Sequence, residues 1–356
     1  MKKFKNIALA LVILVFVGII FSYSFYCYKL LPVGDNNELK IIEIKSGSTA
    51  YDIGKTLEDN NLIKSNLFFR IYIKLNGNNN LQAGFYELSE DMGVKTIVEK
   101  ISSGDAVNPN AFSITFPEGK NFRYIASTIA AKTNNTEKEV YDLIKDESYL
   151  NEIINEHWFL TDDIKNNDIY YSLEGYLFPD TYIIENKDVD VKDIFETMLD
   201  QTDKILSKYK SDILENNYSI HELMTMASII EMEGVSDEDR STMAGVFYNR
   251  LEINMRFDSC ATACYASKFD GVCKPANVQT KYNSPYNTYL PSTAGKLTPG
   301  PIGLPGEKSI KAILYPEEND FLFFVSDKNG KTYFSKTNTE HEANKTKIRN
   351  DGNWIE

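Results

Sequence analysis

Histidine is scarce in this sequence, and positive charge falls short of negative. Lys and Arg number 38 against 51 Asp and Glu, a formal net charge of -13 with a pI near 4.9. Such an acidic chain is a poor fit to nucleic acid or an anionic lipid surface as its main partner. Only three histidines occur, His157, His221 and His341. A Ser/His or Cys/His nucleophilic site would have to use one of them, and no GxSxG is present. Cysteine is also scarce. Cys27 stands alone, and the trio Cys260, Cys264 and Cys273 allows one disulfide with a leftover thiol but no disulfide framework. The trio has neither a CxxC pair nor a local histidine, so no metal site and no cofactor are expected. An uncharged or zwitterionic polymer remains compatible as substrate.

What is present is apolar surface. At 356 residues and 42% hydrophobic content, the chain can bury a full core and is expected to fold as two units. Its start, Met1-Lys-Lys-Phe-Lys-Asn6, leads into an apolar run from Ile7 to Phe21 that continues to Tyr28, approaching the ~20 residues that cross a bilayer. Lys2, Lys3 and Lys5 favour a cytoplasmic N-terminus, and Tyr23, Tyr26 and Tyr28 resemble an interfacial aromatic belt. A cleaved signal peptide is the competing reading, but Ser22-Tyr-Ser24 is a poor small-x-small site. The expected layout is a tail at 1–5, a plasma-membrane anchor at 6–28 and a linker at 29–38. Everything from Pro32 onward is then extracytoplasmic.

Residues 39–107 read as strand (Leu39 to Ile44), helix capped by Ser48 or Thr49, second helix (Leu67 to Leu75), strand (Ala83 to Leu88) and a helix from Val94 to Ile101, a small βααβ-like module. The pattern of Ile44 to Leu57 recurs weakly at Phe116 to Ile129, with Gly119 matching Gly47; each copy is strand, Gly turn, helix. Residues 108–356 read as a larger α+β unit with helices at Glu137 to Lys145, Val191 to Tyr209, Ile220 to Glu233 and Asp237 to Leu251. The turn-rich Thr298 to Gly306 loop follows as a candidate cleft wall, and a hairpin at Phe321 to Ser335 comes near the end.

Within the helix Ile220 to Glu233, Ser219 and Glu222 form a Ser-x-x-Glu capping box and Gly234 follows the end. At ~3.6 residues per turn, Glu231 falls among Leu223, Met224, Ala227 and Ile230. Burial there disfavours the ionised form, so such a Glu is expected to hold its proton, as a general acid must. The alternative is a core Glu paired with Arg240 or Arg250. Glu222 and Glu233 project elsewhere and read as capping or solvated groups.

Leu173-Glu-Gly-Tyr-Leu-Phe-Pro-Asp-Thr-Tyr182 combines carboxylates and aromatics as sugar sites do. It is followed in order by Ala227-Ser-Ile-Ile-Glu-Met-Glu233, Ala244 to Leu251, Met255-Arg-Phe-Asp-Ser-Cys-Ala-Thr262, Ser284-Pro-Tyr-Asn-Thr-Tyr289, Pro299-Gly-Pro-Ile302 and Phe334-Ser-Lys with His341. This series resembles the MltG/YceG-like endolytic murein transglycosylases. The resemblance implies a single-pass membrane protein with a LysM-like module and an extracytoplasmic catalytic domain that cleaves the MurNAc–GlcNAc bond of nascent peptidoglycan strands. The products would be 1,6-anhydroMurNAc ends, and strand elongation would stop there. It also implies association with wall-synthesis machinery, and it places the catalytic role on Glu231.

The substrate-binding candidates are Glu174, Tyr176, Asp258, Asn287 and Tyr289. The sequence departs from the family at Phe257 to Thr262, where many members show Leu-Gln-x-Asp-(Pro/Ala)-Thr, and Met232 stands where Lys commonly follows the catalytic Glu. For His341 a structural hydrogen bond is expected. A muramidase hydrolysing the same bond and a noncatalytic wall-binding scaffold are the alternative functions.

Overall fold

The computed structural model describes residues 2–77, 80–234, 236–268 and 282–354, and the chain divides into two units, Met1–Ala111 and Phe112–Glu356. Cys273 lies outside the described residues.

The first unit opens with α1 (Lys2–Leu30). Its segment Leu9–Leu30 is long and apolar enough to cross a membrane. Next come β1 (Lys40–Ile44), α2 (Ala50–Asp59), α3 (Asn66–Asn76), β2 (Gly84–Leu88) and α4 (Val94–Ser103). The strands pair antiparallel, with Ile42 opposite Tyr86 and Ile44 opposite Gly84. Strand period sends Ile42 and Ile44 inward while Ile41 stays exposed. Under the sheet, Ile53 and Leu57 of α2, Phe69 and Ile73 of α3, and Ile97 and Ile101 of α4 complete a core of their own. Of the two possible caps for α2, Thr49 makes the bond, in a reciprocal capping box with Asp52.

The second unit has a two-stranded antiparallel sheet of β3 (Phe112–Thr115) and β4 (Thr181–Ile184) and a hairpin of β5 (Phe323–Ser326) and β6 (Thr332–Ser335). Around them pack α5 (Phe122–Lys132), α6 (Glu137–Leu143), α7 (Glu147–Glu156), α8 (Val191–Leu206), α9 (Lys210–Leu214), α10 (Ile220–Glu233), α11 (Arg240–Glu252), α12 (Cys260–Ala266), α13 (Glu307–Leu314) and α14 (Asn338–Asn350). The Ser219–Glu222 capping box and Gly234 bound α10 as the sequence predicts. Leu223, Met226, Ala227 and Ile230 of this helix lie in the main core, and α11, α12 and α13 pack against it.

Among the boundaries that differ from expectation, α6 ends at Leu143 and not Lys145, and the larger differences are in α11 and α8. Helix α11 starts at Arg240, because Ser236 and Asp239 close a turn first, with Ser236 Oγ donating to Asp239 at 3.0 Å. Helix α8 tightens into a 3₁₀ turn at Ser207–Tyr209.

Candidate active site

A cleft of about 800 Å³ opens in the second unit. Its walls are the Gly119–Asn121 turn, the first turns of α5 with Arg123 and Tyr124, the end of α10 with Met232 and Glu233, and the face of α12 that carries Cys260 and Tyr265. The β3–α5 turn depends on Gly119, whose φ of +70° is costly for residues with a Cβ. Helix α12 is fixed by Ser259, which caps it by accepting from the Thr262 N–H.

Glu231 and Glu233 leave α10 two positions apart, about 200° around the helix at ~100° per residue. They therefore reach different neighbours. Glu233 turns to the cleft, where the Ser259 hydroxyl donates to its Oε1. Burial pushes its carboxyl above the ordinary range, against the smaller downward pull of Ser259 and the Arg250 charge.

Glu231 meets Arg240 instead, whose two terminal nitrogens lie 3.1 and 3.2 Å from its oxygens. Ser309 Oγ donates to Glu231 at 2.7 Å and the Gly306 N–H at 3.1 Å. Only 7% of its side chain is exposed. The apolar surroundings expected for Glu231 are thus corrected: its stem is packed, but its carboxylate ties α10 to α11 and to the start of α13. It does not line the cleft.

The expected substrate contacts are mostly one layer deeper than the cleft. Glu174 is 1% exposed. It accepts from the Phe122 N–H at 2.9 and 3.0 Å and from the Tyr265 hydroxyl at 2.9 Å. Burial raises its carboxyl to about 7, while it joins two cleft walls from behind. Tyr176 is fully buried and bonds His221 Nδ1 at 2.8 Å. His221 Nε2 in turn meets the Pro299 carbonyl at 2.8 Å, which anchors the Pro/Gly loop.

Asn287 is also buried, donating to the Tyr282 carbonyl and accepting from the Tyr289 N–H, so it shapes a turn. Asp258 is ion-paired with Arg256 at 3.0 Å and sits at a φ of +44°. Tyr289 alone of the five comes up to the cleft, with its hydroxyl 3.1 Å from Cys260 Sγ. The Pro/Gly loop packs behind α10, where the Ile302 N–H bonds Ser228 Oγ at 3.0 Å, and is not a cleft wall.

Cys264 is disulfide-bonded. His341 lies on α14 with its ring stacked on Phe323 at 5.5 Å, and its imidazole is lowered chiefly by burial. The strand, Gly119 turn and helix read at Phe116 to Ile129 are present as β3, the turn and α5, but their place in the cleft, the α12 wall and the part of Glu233 carried no sequence signal beyond the second Glu of Ala227 to Glu233.

The sequence profile of the YceG-like family matches residues 42–347. This chain belongs to the YceG-like family. Among its relatives is the endolytic murein transglycosylase of Bacillus subtilis, 38% identical over 322 residues, covering 89% of this chain and 87% of that protein. The endolytic murein transglycosylase of Streptococcus pneumoniae serotype 2 is 32% identical over 359 residues, covering 96% of this chain and 64% of that one. A crystal structure of a putative YceG-like protein from Listeria monocytogenes superposes with a TM-score of 0.61 at 37% identity, covering 86% of this chain and 99% of that one. In this YceG-like chain, the family segment that ends α10 thus splits its two carboxylates between a structural ion pair and the cleft.

Proposed function

We propose that this protein is an endolytic lytic transglycosylase that cuts the glycan strands of peptidoglycan, with Glu233 as its acid and base. The observation that carries the assignment is a cleft-lining carboxyl that burial biases toward its protonated form. The names of the relatives support the substrate and the reaction class.

In the reaction, protonated Glu233 donates to the oxygen that links the anomeric carbon of MurNAc to GlcNAc. That carbon–oxygen bond breaks with its electrons going to the oxygen, and an oxocarbenium-like centre develops. The 6-hydroxyl of the same MurNAc attacks the anomeric carbon, and the Glu233 carboxylate removes its proton. Water is not consumed, and one carboxyl serves both steps, whereas a hydrolase places a second carboxylate at a set separation. Tyr124, which lines the cleft and is 36% exposed, offers a ring against which a sugar face can stack.

Glu231, on this reading, holds the end of α10 in place so that Glu233 is aimed correctly. The β-α-α-β order of the first unit suits a LysM-like module that grips the strand. With α1 as a plasma-membrane anchor and Lys2, Lys3 and Lys5 on the cytoplasmic side, the enzyme would meet strands as wall synthases release them.

The test is the mass of the new ends after the full-length protein digests purified glycan strands. Anhydro ends, one water lighter than reducing ends, are expected. Reducing ends would make the protein a muramidase, and uncut strands that stay bound would make it a scaffold.

A further inference from the structure

Helix α3 carries an exposed apolar row. Leu67, Ile71 and Leu75 are 57%, 37% and 71% exposed, and their i, i+4, i+8 spacing puts them on one face. The opposite side, Phe69 and Ile73, is buried in the core of the first unit, so the row is not spare core surface. Arg70 and Lys74 run along one edge of it, and α3 contains no acidic residue, although the chain as a whole carries -13.

The same helix touches the end of the apolar helix α1. The Phe68 ring lies 5.6 Å from that of Phe25 and 6.1 Å from that of Tyr26, and the Lys64 ammonium sits 4.1 Å over the Tyr28 ring. About 20 helical residues span the hydrocarbon layer. Counted from Asn6, just after the last N-terminal lysine, they end at Phe25. The contact between α1 and α3 thus falls at the depth where hydrocarbon gives way to head groups, the level favoured by aromatic rings and snorkelling Lys and Arg.

We infer that α3 lies in the surface of the bilayer that α1 leaves, with Leu67, Ile71 and Leu75 among the upper acyl carbons and Arg70 and Lys74 at the phosphates. The occupant of this face is lipid. An open apolar face beside a membrane exit is an interfacial helix with its anchor already in place. The consequence is that the first unit is held by two elements, not one, and is fixed in its height and tilt over the membrane.

The test uses full-length protein in nanodiscs with Ile71→Trp, and separately Leu75→Trp, added to the native Trp158 and Trp354. Lys55→Trp on the exposed side of α2 is the control. When lipids brominated near the head group replace ordinary ones, the added emission at 71 and 75 should fall by roughly half, as suits an interfacial depth of ~5–10 Å. The Lys55→Trp chain should lose no more than the parent. Equal quenching at 55 and 71, or none at 71 and 75, would overturn the inference. So would a blue shift that appears only when several chains share a disc without bromine quenching, because that would put a second copy on the face.

Discussion

Arg240 grips both oxygens of Glu231, at 3.1 and 3.2 Å, and the pair is almost wholly out of water, with 10% and 7% of the two side chains exposed. Taking one member from such a buried pair leaves an uncompensated charge, which typically costs about 3–5 kcal/mol. Asp237 also reaches Arg240, at 3.3 Å, and offsets part of that loss. Glu231→Ala should therefore lower unfolding stability by about 2–4 kcal/mol, read from the shift in denaturant midpoint. A midpoint unchanged from the parent would show that the pair does not hold the end of α10.

Ser259 is expected to tune the acid. Its hydroxyl bond to Glu233 favours the charged carboxylate, so Ser259→Ala should raise the carboxyl further. A general acid works while protonated, and its activity falls as pH rises through its pKa. The alkaline limb of the kcat/KM profile should then move to higher pH in the variant, alongside about 1 kcal/mol of lost cap stability. A limb that does not move, or moves down, would separate Ser259 from the acid.

Glu174 gives a pH dependence of stability. Its carboxyl is raised by burial to about 7 in the folded protein, above the ~4.3 of an unfolded chain. Between these values the folded state binds more protons than the unfolded one, so stability is fully present below about pH 4 and declines as pH rises through about 7. The shift corresponds to about 3–4 kcal/mol. Glu233 contributes in the same direction, and a comparison of variants isolates Glu174. Glu174→Gln should flatten the fall in stability between pH 5 and pH 8, measured by denaturant titration at each pH. An equal slope in parent and variant would contradict the raised carboxyl.

Much of this architecture is legible in local signals. The Ser219–Glu222 box and Gly234 mark both ends of α10, and Thr49 marks α2, because caps are made by near neighbours in the chain. Helix α12 was not legible: seven residues rich in Ala and Cys carry little period. Glu233 misled for a tertiary reason. On an isolated helix it projects away from the apolar arc and looks solvated, but Ser259 and α12 cover that side.

The Leu173 to Tyr182 motif misled in the opposite way. Gly175 has a φ of +79°, and a Cβ there would come within 2.4 Å of Pro301. That tight approach carries Glu174 and Tyr176 into the core behind the cleft. Their residue types suit sugar binding, while their hydrogen bonds run to Phe122, Tyr265 and His221.

On the proposed mechanism Glu233, and not Glu231, performs the proton transfers. That assignment is tested most directly by full-length Glu233→Gln and Glu231→Gln incubated with purified glycan strands, with products resolved by mass and each fold checked by its thermal transition. No anhydro ends are expected from Glu233→Gln, which should fold as the parent does, and reduced but measurable anhydro ends are expected from Glu231→Gln. Undiminished cleavage by Glu233→Gln, or complete loss in a well-folded Glu231→Gln, would contradict the assignment.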